Sequence, residues 1–342
     1  MNRRILQSST ILWASTLAVL AGPAAVTAQI PDLSERPEAF IPPPLHPAGA
    51  HLETRRLADG VYALVSDRNG VDNSGFVVGE RGVLVVDAHI NAEMARQIQA
   101  AVKAVTDKPI LYLVNTNYHG DHTFGNYAFP ANTRIVAHRA TADRMRDFEA
   151  EKEFLLATVN GDRSVYADAE LRLPDVVFDD SMRLDLGGRV VELHHFGPGN
   201  TPGDAVVYVP EARVAWTGNL VLGFGMPFLI EGGAKTYLTT IERFASGLDV
   251  ETIVPGHGPI VPGGILDAYR SYLTGLVGLV SRRAAPESSL EAALAAFPLP
   301  DGYIPADVDQ DTRAFIEGIH VFNLWRTLGE TRSGQATGAG GS

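Results

Sequence analysis

The chain has 342 residues, 45% hydrophobic and 20% charged, the composition of a soluble globular protein of one or two domains. A formal net charge of −12 repels nucleic acid and anionic membranes, and no dense Lys/Arg run reverses it, so nucleic acid is not expected as a partner. Cysteine is absent, which removes disulfides and thiolate metal ligands from consideration.

Residues 1–28 read as a secretory signal: a basic start (Arg3, Arg4), the apolar stretch ILWASTLAVLAG, and small residues up to a cleavage site after Ala28. The stretch is too short to span a bilayer comfortably. The mature protein is therefore expected to be exported, periplasmic or secreted, without stable membrane insertion after cleavage. Arg3-Arg4 also resembles the start of a twin-arginine signal. Residues 29–51 are proline-rich and aperiodic, an extended N-terminal arm.

From residue 52 the pattern becomes regular. VYALVS, SGFVVG and GVLVVDA are valine-rich strands bounded by Gly, Asp and Asn. NAEMARQIQAAVKAVT has helical spacing, with Met94, Ile98 and Val102 on one face. ILYLVNT and TRIVAH are strands, and 139–159 reads as one helix. MRLDLGG, RVVELHHF, DAVVYVP and RVAWTGNL continue as strands, KTYLTTIERFASGL as a helix, and ETIVPGHG as a strand ending in a loop. This alternation predicts an α/β sandwich with helices outside, spanning 52–275. Residues 276–331 read as a C-terminal helical extension placed to cover the site or pair with a neighbour, and 332–342 as a disordered tail. Oligomeric state is left open.

The stretch LVNTNYHGDHTFGN places His119, Asp121 and His122 within four positions at the end of a buried strand. FGPGNTPGD (196–204), WTGNL (216–220) and VPGHG (254–258) also sit where strands give way to Gly/Pro-rich loops, the places where ligands collect in α/β sheets. Together these stretches resemble the metallo-β-lactamase superfamily over roughly residues 55–275. The resemblance implies that family's four-layer αβ/βα sandwich, a site at the edge between two sheets, and a supporting role for Asp87 in GVLVVDAH.

The family pattern is HxHxDH, then a glycine-loop His, an Asp after T-G, and a final His. The corresponding positions here are Asn117, His119, Asp121, His122, Asn200, Asn219 and His257. The resemblance thus implies that the second-metal ligands Asp121, His122 and His257 are intact. The first-metal set has become Asn117, His119 and Asn200, and the bridging carboxylate has become Asn219. Zinc prefers carboxylate and imidazole donors, so one imidazole with two neutral amides is a poor site. One zinc ion at Asp121, His122 and His257 is the expected cofactor, with iron the alternative. Losing an ion while keeping the bridging Asp would strand a buried charge, which Asn219 avoids.

The implied activity is that of a hydrolase acting on a small-molecule lactam, lactone, ester or amide through metal-activated water. Asp121 and His119 are its catalytic residues, His119 as base or proton shuttle, and Asn117, Asn200 and Asn219 are expected to line the emptied site and supply donors toward an oxyanion. Two rivals are an iron enzyme acting on oxygen or sulfur substrates and a non-catalytic binding protein on the same fold. Of His194 and His195 at most one can face the site. His89, His138 and His320 have no companions. Glu231, Lys235 and Tyr237 lie beyond Asn219, near the mouth or on a solvated loop. Specificity is assigned to loops 147–180 and 223–237.

Overall fold

The computed structural model describes residues 37, 40, 42–282, 289–299, 303–304 and 308–338. The signal segment and most of residues 29–41 lie outside the described residues.

Valine-rich runs form the strands because β-branched side chains pack well on a pleated, buried surface. The first sheet takes its strands in chain order: β1 (Leu52–Ala58), β2 (Val61–Ser66), β3 (Ser74–Val78), β4 (Val83–Val86), β5 (Ile110–Asn115), β6 (Arg134–His138) and β7 (Val176–Phe178). Pairing is antiparallel up to β4 and parallel from β4 to β7. The second sheet holds β8 (Ser181–Asp185), β9 (Val190–His194), β10 (Val206–Val209), β11 (Val214–Gly218), β12 (Thr252–Pro255) and β13 (Val261–Pro262), with only β11 and β12 parallel.

The sheets meet through Val77, Leu84 and Val114 on one side and Leu193, Val207 and Trp216 on the other. Helix α1 (Ala92–Val105) turns Ala95, Ile98 and Val102 onto the outer face of the first sheet. The strand between them, β4, is buried on both faces, which is why VLVV has no polar residue to alternate with. The second sheet's outer face is covered by helices running through residues 234–247, 265–282 and 310–338. The result is the four-layer αβ/βα sandwich. Among the described residues no helix is long and apolar enough to cross a membrane.

Four departures from the sequence reading have local causes. Strand β1 exposes Glu53 through Arg56; it is an edge strand, where charge replaces alternation. A short α2 (Gly120–Thr123) precedes β6, and the stretch 139–159 is not one helix but α3 (Arg139–Arg144) and α4 (Phe148–Leu155) with 3-10 turns around them. The break is at Asp147, whose φ of −82° and ψ of 37° leave the helical region. The boundary drawn at 275 falls inside a helix: after α5 (Ala234–Gly247), α6 (Ile265–Arg282) is continuous, and its Leu273, Leu276 and Leu279 share one apolar cluster with α5 and the last helix. Beyond α7 (Leu290–Ala296), α8 (Gln310–Gly338) continues into the segment read as a tail. His320 ties this extension down, between Tyr272 Oη and Phe297 O, both at 2.9 Å.

His138 and His195 stack across the seam of the sheets, with ring centroids 3.9 Å apart. His138 Nδ1 accepts from Ala140 N, and His195 Nδ1 donates to Asp204 O at 2.8 Å. Burial and the neighbouring ring push His138 down to about 4, and burial lowers His195. A histidine depressed by folding contributes stability that is intact above its unfolded value near 6.5 and is lost as pH falls through the folded one. Thermal midpoints should therefore drop by several degrees between pH 6.5 and 4. His138→Asn keeps a helix-capping acceptor but cannot titrate, so its midpoint-versus-pH curve should be flatter than that of the wild type.

Candidate metal centre and its pocket

The site begins with a strained carboxylate. At the end of β4, Asp87 adopts φ 59°, a left-handed conformation that residues other than Gly rarely take. This aims its side chain under the end of β5. Oδ1 accepts from Thr116 N at 2.8 Å, and Oδ2 accepts from Thr116 Oγ1 at 2.7 Å and lies 2.9 Å from His122 Nδ1. With Nδ1 engaged, His122 presents Nε2 to Asn219 Oδ1 at 3.1 Å and Asp121 Oδ2 at 3.8 Å. An outer carboxylate that fixes the tautomer and aims the ring is the usual support for a metal-binding imidazole.

His257 comes from the loop after β12. Its Nδ1 donates to Gly70 O at 2.8 Å, and its Nε2 stands 3.2 Å from Asp121 Oδ2. Asn73 holds that loop to the β2–β3 turn: its Nδ2 donates to Pro255 O and Gly258 O, and its backbone N–H donates to Gly256 O. The same turn carries Asp72, which the sequence reading did not single out. Asp72 Oδ2 lies 3.2 Å from His122 Nδ1 and Oδ1 lies 3.9 Å from His257 Nε2. Asp72, Asp121, His122 and His257, all buried, bring donor atoms within 4.8 Å of one another.

Charge explains what this cluster requires. Burial pushes the Asp72 carboxyl well above its ordinary range. Burial also raises Asp121, but the His122 and His257 imidazoles hold it well below the usual value. For His122 burial works downward, and Asp72, Asp121 and Asp87 lift it well above neutrality. Both oxygens of Asp72 and Oδ1 of Asp121 lack a hydrogen-bond partner, although buried polar atoms are almost always paired. Unpartnered carboxylate oxygens converging with two pre-oriented imidazoles are a donor set that fits a divalent cation.

The other polar positions sort by backbone partners. Asn117 Oδ1 accepts from His119 N at 2.8 Å, leaving Nδ2 unpartnered. Asn200 Nδ2 donates to Phe228 O at 2.8 Å, leaving Oδ1 unpartnered. An amide oxygen cannot donate to a carbonyl and an amide nitrogen cannot accept from an N–H, so these orientations are forced. Asn117 thus offers a donor and Asn200 an acceptor, and Asn219 turns its oxygen to His122. Of the three expected donors, Asn117 Nδ2 is the one that is buried and wholly unpartnered.

His119 is held by a second residue that the sequence reading missed. Glu151 on α4 is buried and places Oε1 3.0 Å from His119 Nδ1 and 3.2 Å from Gly120 N. Burial alone would lower the His119 imidazole, yet Glu151 beside it raises it overall. Its Nε2 has no partner. Glu151 was hidden among the acids of RDFEAEKEF, and only the break at Asp147 turns it inward.

A narrow pocket opens on this cluster and is lined at its base by His119, Asp121, Asn200, Asn219 and His257. Its walls are apolar and come from the arm, α4 and the turn after it, the 222–230 loop, and Phe315 of α8. Glu231 is buried between Tyr118 and Arg144, with Arg144 Nη2 donating to its Oε2 at 2.9 Å. Tyr237 is buried, and its hydroxyl donates to Leu220 O at 2.8 Å, while Lys235 is exposed. His89 is buried with φ 61° and Nε2 unpartnered, and burial pushes it down to about 3. His194 pairs with Glu192, away from the cluster.

A family model described as the metallo-beta-lactamase superfamily matches residues 68–257. A linear primary-alkylsulfatase from Pseudomonas sp. is 22% identical over 214 residues, covering 53% of this chain and 40% of its own length. A beta-lactamase-like protein 2 homolog from Caenorhabditis elegans is 23% identical over 223 residues, covering 63% of this chain and 67% of its own. The chain therefore spans well under half of the alkylsulfatase. A solved metallo-beta-lactamase from Pontibacter korlensis has a TM-score of 0.53 at 22% identity, covering 66% of this chain and 99% of that one. One from Erythrobacter litoralis has a TM-score of 0.52 at 20% identity, covering 66% and 96%.

The donor set is open to direct test. Asp121→Asn should abolish retention of metal through desalting, measured by elemental analysis. Asp72→Asn should weaken affinity by about 10- to 100-fold in chelator competition; wild-type affinity in that variant would remove Asp72 from the set. Gly256→Ala places a Cβ 2.9 Å from Asn219 Oδ1 and 3.0 Å from His122 Cε1, so it should lower metal affinity while leaving the far-UV circular dichroism unchanged.

Proposed function

This chain belongs to the metallo-beta-lactamase superfamily, and on that footing we propose that it is a metal-dependent hydrolase, mononuclear, acting on the carbonyl of a lactam, lactone, ester or amide. The observation that carries the reading is the convergence of unpartnered Asp72 and Asp121 oxygens with His122 and His257, two of which, Asp121 and His257, line a pocket. Asp121, His122 and His257 would hold the ion, with Asp72 as a further donor, and zinc is the expected element. A bound divalent ion supplies Lewis acidity and lowers the pKa of water toward neutrality.

The chain's own residues supply the rest. Asp87 and the Gly70 carbonyl keep the proton on Nδ1 of His122 and His257, so that both present Nε2. Glu151 does the same for His119, leaving Nε2 on the pocket side to take a proton from water and return it to the leaving group. Asn117 Nδ2 is a buried donor without a partner, of the kind suited to negative charge developing on oxygen. The signal-like N-terminus supports action outside the cytoplasm.

A second reading, an iron enzyme handling oxygen or sulfur substrates, is favoured by Asp72, since a second carboxylate hardens the donor set. Elemental analysis of protein from its native host distinguishes the two. One zinc per chain together with turnover in a panel of lactams, lactones and esters is the expected outcome, and two tightly held ions would overturn the mononuclear reading. Glu151→Gln should lower kcat by about 10- to 100-fold with KM and metal content unchanged. An unaltered kcat would remove the His119 proton-transfer role.

A further inference from the structure

We infer that the pocket takes an uncharged substrate with an apolar body, which excludes molecules whose recognition depends on a carboxylate or sulfate. The inference rests on the hydrolase reading above and narrows it. Its first support is the wall. Phe40, Leu45, Phe154, Phe228, Ile230 and Phe315 come from four separate segments and face one space. Phe40 is seated by Phe228 and Phe322, with ring centroids 5.8 and 4.9 Å away, and the arm is pinned where Leu45 N donates to Thr158 O at 3.0 Å. The loop bearing Phe228 and Ile230 is clamped by Asn323, which accepts from Leu229 N and donates to Pro227 O. The apolar surface is thus fixed by hydrogen bonds behind it.

The second support is charge. Among the described residues no lysine or arginine lines this pocket. Of the two guanidinium groups tied to its surroundings, Arg144 is paired with Glu231, and Arg326 stands behind the wall, where its Nε donates to Leu229 O at 3.2 Å. Thr158 spends its hydroxyl on Leu155 O at 2.6 Å. The lining's unpartnered oxygens are acceptors, Asn200 Oδ1 and Asp121 Oδ1. An anionic group entering here would meet largely apolar carbon and the acceptors Asn200 Oδ1 and Asp121 Oδ1, with no lysine or arginine to pair with it. A dication held there would have the two carboxylates Asp72 and Asp121 against its charge. Burying an unpaired carboxylate under such conditions is strongly unfavourable, whereas an acyl or aryl group gains by leaving water. A substrate N–H or O–H would satisfy Asn200.

Matched probes test this. p-Nitrophenyl octanoate and mono-p-nitrophenyl suberate share a chain length and differ by a terminal carboxylate. The zinc-loaded protein should favour the neutral ester by about 100-fold in kcat/KM, and Ile230→Arg should narrow that gap at least tenfold. Equal rates for the two esters would overturn the inference while leaving hydrolysis intact. If neither ester is cleaved, the failure belongs to the hydrolase reading, and binding decides the inference separately. Octanamide should displace Nile red from metal-free and zinc-loaded protein at concentrations at least tenfold below those of suberamic acid. Equal displacement, preference for the acid, or no displacement by either would overturn it.

Discussion

Three carboxylates, Asp72, Asp87 and Asp121, stand within 4 Å of a single imidazole, His122, and all four groups are buried. Like charges gathered away from water repel strongly, so the surrounding architecture has to hold them together. It does so with backbone. β4 ends in left-handed turns at Asp87 and His89, whose neighbours Ala88 N and His89 O bond to the loop of the ligand helix at His122 O and Gly125 N. Gly125 is required there because a Cβ would stand 2.0 Å from Ala88 O. The strain is local, and a rigid sandwich core on either side sustains it.

A division of labour follows from the same layout. The first sheet supplies Asp72, Asp87, Asp121 and His122, and the second supplies Asn219 and His257. The helices outside supply Glu151 and, with the arm and the 222–230 loop, the pocket wall. The helical extension is functional through its packing: α8 never reaches the cluster, yet Asn323 fixes the loop whose Phe228 carbonyl orients Asn200. A residue far along the chain therefore determines which atom of an amide faces the pocket.

Much of the sandwich was legible in the sequence because doubly buried strands can only be apolar, and GVLVVDA and ILYLVNT say so directly. Strand β1 was not legible, since LETRRLA carries charges an edge tolerates. The break at Asp147 leaves no breaker residue to read. At the site, His119, Asp121, His122 and His257 were legible from density and loop position. Asp72 was one acid in a polar turn, and nothing local distinguishes it from Asp67. Its significance arises only when Asn73 joins that turn to the last loop. The amide orientations were also hidden, because they depend on carbonyls and N–H groups that no side-chain pattern encodes.

The contact between His257 and the Gly70 carbonyl joins positions 187 apart, and this separation orders events during synthesis. Ribosomes add about 5–20 residues per second, so the acidic half of the cluster emerges well before its closing imidazole. A nascent chain that ends before β12 holds the repelling carboxylates without their counterpart. The four-residue donor set therefore exists only once synthesis has passed His257.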